Sequence, residues 1–294
     1  MATQATIKKQ QVLLKFIELE LASEQKVQAV IGIGSIARGI AQPESDIDAI
    51  VFLDPFDAYI VPAEFIWNPS DRTFHSIFIY EPEVEKKLQF DFERLYLTEW
   101  SNPSFIWPDG YCSELSLGWL AFDRTGIVAD LIAKRTTYTD AIRMSRLDEA
   151  ITRLDQHLTG DGPQVKWHSL GPLIAHDHLQ AAYGYLVQAL FAYNRRWRPW
   201  RNHEMSVLLA LPWLPNDFQN RVFIALGIRS PNYSEFRNRV EVLRGLFQDL
   251  THRLVADGLY SDDFTREAFC RIHDEPGRAW NMDDWNQKHA EQHK

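Results

Sequence analysis

Two short apolar runs, VQAVIGI (27–33) and IDAIVFL (47–53), read as buried strands, and the segment joining them, Ser35–Asp46, is only twelve residues long and broken by Pro43. That spacing constrains the fold more than any other feature. Parallel strands need a crossover of a dozen or more residues, usually a helix, and no full crossover helix fits here. The joining segment lies within GIGSIARGIAQPESDID (32–48), where Gly32-x-Gly34-x-x-Ala37 has the spacing of a dinucleotide-binding loop and Asp54 stands where a ribose-binding acid would. Two things oppose that reading. The crossover is missing, and Asp46 and Asp48 would repel a pyrophosphate placed beside them.

The same acids suit another chemistry. Residues i and i+2 of a strand share a face, so Asp46 and Asp48 project together while Ile47 and Ala49 turn to the core. Such a pair suits magnesium, which takes hard oxygen ligands and is held by one or two carboxylates together with substrate phosphates. Gly34 has no side chain, so the backbone at Gly34-Ser35 can approach a phosphate, with the Ser35 amide and hydroxyl as donors. A helix beginning at SIARG would add the partial positive charge of its free amides.

Further along, TFHSIFIY (73–80), LQFDFERLYL (88–97) and LGWLAFD (117–123) are strand candidates. TIKKQQVLLKFIELELA places Ile7, Val12, Leu13, Phe16, Ile17 and Leu21 on one helical face with Lys and Glu opposite, and TGIVADLIAKR reads as a second helix. From Thr139 onward only helical periods recur, in DAIRMSRLDEAITRLDQHL, LIAHDHLQAAYGYLVQALFAYN and SEFRNRVEVLRGLFQDLTHRLVA. The expected architecture is therefore α+β over residues 1–138, a mixed sheet flanked by helices, followed by an all-α bundle over 139–294.

Gly34-Ser35, Arg38-Gly39 and Ser45-Asp46-Ile47-Asp48, flanked by apolar strands, resemble the signature of the DNA polymerase β-like nucleotidyltransferase superfamily. Within it the chain is most similar to the bacterial branch containing two-domain aminoglycoside adenylyltransferases and minimal nucleotidyltransferases. LAFDRTGIVADLIAKR (120–135) is similar to that family's closing strand and helix. The resemblance implies a third carboxylate flanked by apolar residues, and Phe90-Asp91-Phe92 fits: Asp91 completes the metal site or takes the proton of the acceptor hydroxyl, with Glu93 as the alternative. It also implies Mg2+ at Asp46, Asp48 and Asp91, and ATP or another nucleoside triphosphate seated by Gly34, Ser35 and Ser45. The acceptor is expected to be a hydroxyl of a small molecule such as an aminoglycoside-type antibiotic, with pyrophosphate released. Two rival readings keep the fold: a protein adenylyltransferase of the antitoxin type, and a nucleotide-binding protein without turnover.

Other residues carry weaker signals. Arg38 is equally consistent with neutralising phosphate and with pairing to an acid such as Glu44. The arginines of NRRWRPWRN, Arg195, Arg196, Arg198 and Arg201, suit a triphosphate or a surface loop stacked on Trp197 and Trp200. His176 and His178, two apart on a helix, point to different sides and do not chelate one metal, and Asp177 between them reads as an exposed helical acid.

Charge and composition bound the partners. Residues 1–138 hold 12 Lys+Arg against 20 Asp+Glu, and residues 139–294 hold 19 against 20. A net charge of −9 argues against long nucleic acid as a partner. Cys112 and Cys270 form no paired-cysteine metal spacing, so structural zinc is not expected. No apolar run reaches spanning length and Met1–Ala22 lacks the basic-then-apolar order of a signal peptide, so a cytoplasmic protein without membrane contact is expected. Most of the ten tryptophans and ten tyrosines belong in the core, with some left to line an acceptor pocket.

Overall fold

The apolar spacing near the N-terminus produces α1 (Gln4–Phe16), which Thr3 caps by accepting from the Thr6 amide at 3.1 Å, and which runs on through one π-turn at Ile17–Leu21. The computed structural model describes residues 2–78, 88–228, 230–274 and 282–292. After α1 come β1 (Val27–Gly32), α2 (Gly34–Arg38), β2 (Ile47–Leu53), β3 (Glu64–Asn68), β4 (Thr73–His75), β5 (Gln89–Tyr96), α3 (Leu97–Ser101), α4 (Asp109–Leu117), β6 (Trp119–Asp123) and α5 (Ile127–Arg135). The remaining helices are α6 (Asp140–Leu158), α7 (Gly162–Val165) with a π-turn at Lys166–Leu170, α8 (Pro172–Tyr193), α9 (Arg201–Leu209), α10 (Phe218–Leu226), α11 (Tyr233–Ala256), α12 (Phe264–Ile272) and α13 (Met282–Gln292). Two compact units result, Met1–Thr137 and Tyr138–Lys294.

In the first unit a six-stranded mixed sheet has the order β4-β3-β5-β2-β1-β6. β1 runs antiparallel to β2 and to β6, β2 runs parallel to β5, and β3 runs antiparallel to β4 and β5. Antiparallel pairing of β1 with β2 removes the βαβ unit that a dinucleotide loop requires. Period-two alternation then sorts the residues between two faces. Ile47, Ala49 and Val51 of β2, with Phe90 and Phe92 of β5, go under α1, where the Phe16 ring lies 4.8–5.5 Å from Phe65, Trp67, Phe90 and Phe92. Asp48, Asp91 and Glu93 are left on the opposite face.

Several features differ from the sequence reading. Lys9 sits on the buried stripe of α1 with Leu13 and Phe16 rather than on its polar face, while Ile7 is largely exposed. β3 was not anticipated, because EFIWN is short and does not alternate: three consecutive residues, Phe65, Ile66 and Trp67, are buried. The strand expected at 73–80 is only Thr73–His75, with a turn after it; Ile79 and Tyr80 lie outside the described residues. The arginine-rich stretch is not wholly a loop, since Arg201 opens α9.

The described strands all lie in the first unit. The second is built from helices, with α6 packed on α8 and α12 around a core that includes Leu147, Ile151, Leu154, Leu186, Leu190 and Leu250. Its buried acids are paired: Asp148, for one, accepts from Tyr260 at 2.6 Å and from both Nε and Nη2 of Arg271 at 2.9 and 2.8 Å. No helix among the described residues is long and apolar enough to cross a membrane.

Candidate metal and nucleotide site

The site stands where β1 ends, α2 turns and β2 begins. Ile33 N donates to Asp48 O at 3.0 Å, which continues the pairing of β1 and β2 to the rim of the sheet and fixes where the glycine turn starts. Gly34 has φ +59°, the left-handed region, and a Cβ there would lie 2.4 Å from Asp48 Oδ2. Glycine is therefore required twice, for its backbone conformation and for the room it leaves the carboxylate. α2 lasts five residues and ends at Gly39, φ +78°, with the Ile40 amide returning to Ser35 O at 3.1 Å.

The parallel register of β2 and β5 places Asp48 directly beside Asp91, and Asp46 precedes β2 on the same side. One carboxylate oxygen from each of Asp46, Asp48 and Asp91 can be chosen so that all three lie within 4.8 Å of one another. The antiparallel register of β3 and β5 sets Glu64 opposite Asp91. Burial, and after it neighbouring like charge, raises the pKa of a carboxyl group. The Asp48 carboxyl is pushed up to about 7, first by desolvation and then by Asp46, Asp91 and Glu114, with Arg38 opposing. Asp91 is raised by desolvation, Glu64 and Asp46, and Glu93 by desolvation and Asp91.

Two cations flank this cluster. Arg38 Nη2 donates to Glu114 Oε1 at 2.7 Å, and the Gly34 amide faces Glu114 Oε2 at 3.4 Å, so the partner of Arg38 is a buried acid of α4 and not Glu44. Lys9, 5% exposed, donates to the carbonyl of Ser45, and burial lowers its pKa against the opposing pull of Asp46 and Glu44.

The sequence-derived candidates separate by geometry. Gly34, Asp46, Asp48 and Asp91 come together. The Ser35 hydroxyl is buried at the turn with no partner among the described residues. Ser45 Oγ accepts from the Gln42 amide at 3.0 Å and shapes the loop ahead of Asp46. Glu93 stands two residues beyond Asp91 and accepts from the Tyr111 hydroxyl, whose ring lies 4.7 Å from Trp100. In the second unit Arg195 pairs with Asp140, while Arg198 and Arg201 both pair with the buried Glu204. His176 Nδ1 lies 2.8 Å from Arg239 and His178 Nδ1 lies 3.1 Å from His157, so the two histidines do face different partners.

Glu114, Lys9 and Glu64 escaped the sequence reading. Lys9 left a trace, since it occupies the i, i+4, i+7 stripe of Leu13 and Phe16. Glu114 left none, because YCSELSLG carries no acidic pattern and its helix had not been anticipated. Glu64 is visible only through the pairing of β3 with β5.

The donor set fits a divalent cation. Three hard carboxylate oxygens converge, a side-chain-free turn adjoins them, and an unpartnered buried hydroxyl lies at that turn. A match to one protein family agrees with this chemistry. Residues 14–100 match the nucleotidyltransferase domain family, and the chain is an enzyme of the nucleotidyltransferase class. No curated protein matches the chain. Among solved structures it is similar to a nucleotidyltransferase-like protein from Exiguobacterium sibiricum 255-15, with 14% identity over 92% of this chain and 81% of that one and a TM-score of 0.45.

Proposed function

We propose that this chain, whose residues 14–100 form a nucleotidyltransferase domain, moves a nucleoside monophosphate, AMP from ATP, onto a hydroxyl of a small molecule in the cytoplasm and releases pyrophosphate. The convergence of Asp46, Asp48 and Asp91 carries the reading. These three hold Mg2+, which when bound neutralises the charge developing on the attacking and leaving oxygens of the displacement. Ser35 Oγ and the backbone of the Gly34 turn seat the triphosphate. Asp91, the most exposed of the three, accepts the proton of the acceptor hydroxyl as its oxygen bonds to the α-phosphorus and the bond to pyrophosphate breaks.

The charge of the carboxylate face favours a small, cationic acceptor. Glu64 and Glu93 keep its neighbourhood acidic, which suits a cationic acceptor such as an amino-sugar antibiotic, and the chain's acidity disfavours long nucleic acid. The helical unit is proposed as the acceptor-binding domain.

The test is a panel of aminoglycosides and other hydroxylated small molecules incubated with radiolabelled nucleoside triphosphates and Mg2+. Label on a small molecule with stoichiometric pyrophosphate supports the reading. Label on a protein side chain from lysate, or nucleotide binding without pyrophosphate, replaces it with protein modification or with sensing.

A further inference from the structure

The family match ends at residue 100, yet the glycine turn is gripped by a residue beyond it. Glu114, on α4, is 5% exposed and directs both carboxylate oxygens at α2: Oε1 to Arg38 Nη2 at 2.7 Å and Oε2 to the Gly34 amide at 3.4 Å. These two contacts lie at the first and last residues of α2, so one side chain spans its whole length. The turn also lies directly against the cluster, since a Cβ on Gly34 would stand 2.4 Å from Asp48 Oδ2. A carboxylate used in this way does not join the cation cluster, whose members among the described residues are Asp46, Asp48 and Asp91. Other ties on the turn, such as Ile33 N to Asp48 O at 3.0 Å, Gln10 Nε2 to Ile36 O at 3.0 Å and Ile40 N to Ser35 O at 3.1 Å, do not touch Gly34 N or the Arg38 side chain.

We infer that Glu114 is a positioning residue: through the Gly34 amide and Arg38 it sets the glycine turn at the height over Asp48 at which Ser35 meets a nucleoside triphosphate. The inference rests on the nucleotidyl-transfer reading for its consequence, though not for the brace itself. Glu114 is not one of the clustered carboxylates and acts on them only through its charge and that of Arg38, so its loss weakens nucleotide seating more than it alters cation binding. A carboxylate that merely stabilised α4 would lower stability and move neither readout at the turn.

The experiment uses the full chain and two variants, Glu114→Ala and Glu114→Gln, the second keeping an acceptor for Arg38 while placing an amide group opposite the Gly34 N–H. Hydrogen exchange reads the brace. Glu114→Ala is expected to speed exchange of the Gly34–Arg38 amides at least about tenfold while those of β2 keep their rates, and Glu114→Gln to fall between it and the parent. Calorimetry with Mn2+ and a non-hydrolysable ATP analogue reads the consequence. Affinity for the Mn2+–nucleotide complex drops about tenfold or more in Glu114→Ala, affinity for Mn2+ alone changes by clearly less than that, and in turnover KM rises with kcat nearly kept. Unchanged exchange at Gly34–Arg38 in a folded variant overturns the inference; if Glu114→Ala does not fold, parent-like exchange in Glu114→Gln does so. If exchange moves as expected but the parent chain binds no nucleotide, the brace stands and the transfer reading falls.

Discussion

The helical unit pairs its buried acids with cations, whereas the sheet unit gathers three acids at the rim of its sheet. In the helical unit an acid drawn into the core is fully matched, as Asp148 is by Tyr260 and Arg271, and Glu204 by Arg198 and Arg201. In the sheet unit three aspartates with raised or crowded carboxyls face one another across β2 and β5, and the nearest cations, Arg38 and Lys9, are engaged with Glu114 and the Ser45 carbonyl. Matched charge is stabilising or neutral, whereas unmatched like charge is a cost that persists only where something else is gained. The first arrangement is architecture; the second is the one proposed above to hold a cation.

The largest effect that contrast predicts is on activity. Asp48→Asn removes the central carboxylate, and Mg2+-dependent pyrophosphate release should fall by about a thousandfold, equivalent to about 4 kcal/mol of lost transition-state stabilisation. Hydrogen exchange in the helical unit should be unchanged. Activity close to that of the parent would show that the acids of the sheet are no more functional than Asp148.

Asp148→Ala is the mirror experiment. It leaves the Tyr260 hydroxyl and the Arg271 guanidinium without their acceptor, and the helical unit should lose about 3 kcal/mol in denaturant unfolding. Mn2+ affinity at the sheet should not move. Gly34→Ala comes next: the left-handed backbone costs about 1–2 kcal/mol, and the new methyl group drives Asp48 from its place. Turnover should drop about a hundredfold although the charge count is unchanged.

The smallest effect is a pair of opposed pH slopes. An acid whose folded pKa exceeds its unfolded value weakens the fold as pH rises. Asp48, at about 7 against 3.8, therefore costs the cation-free sheet unit nothing below about pH 4 and its full amount above about pH 7. Asp91 and Glu93 act in the same direction. In the helical unit His157 is pushed down to about 4 by burial, then by Lys166, His178 and Arg153, with Asp177 opposing. Its stability is complete above about pH 6.5 and is lost as pH falls toward 4. Segment-resolved hydrogen exchange between pH 5 and 8 in EDTA, corrected for intrinsic rates, should show the sheet weakening upward and the helices weakening downward, each on the order of 1 kcal/mol after solvent screening. Added Mg2+ should abolish only the first slope.

Much of this contrast was legible in the sequence because it follows from period and spacing. The joining segment with Pro43 excluded a parallel crossover, and β1 and β2 are antiparallel. Alternation put Asp46 and Asp48 on one side, and the family resemblance, which implies a third carboxylate between apolar residues, pointed to Asp91 between Phe90 and Phe92. What could not be read was whatever depends on which strands become neighbours. Glu64 meets Asp91 only because β3, a run without alternation, inserts beside β5. Glu114 reaches Gly34 across 80 residues, and no local pattern encodes that approach. Lys9 lay on the apolar stripe, but a lysine there is normally assigned to solvent because burying its charge is costly.

The most direct measurement is Mn2+ binding to the full chain, followed by electron paramagnetic resonance, in the parent and in Asp46→Asn, Asp48→Asn and Asp91→Asn. The three carboxylates acting as one site should bind Mn2+ in the parent, with affinity lowered at least about tenfold in each variant and restored in none by nucleotide alone. Equal Mn2+ binding by the parent and all three variants would contradict the account, since the cluster would then be an acidic surface and not a cation site.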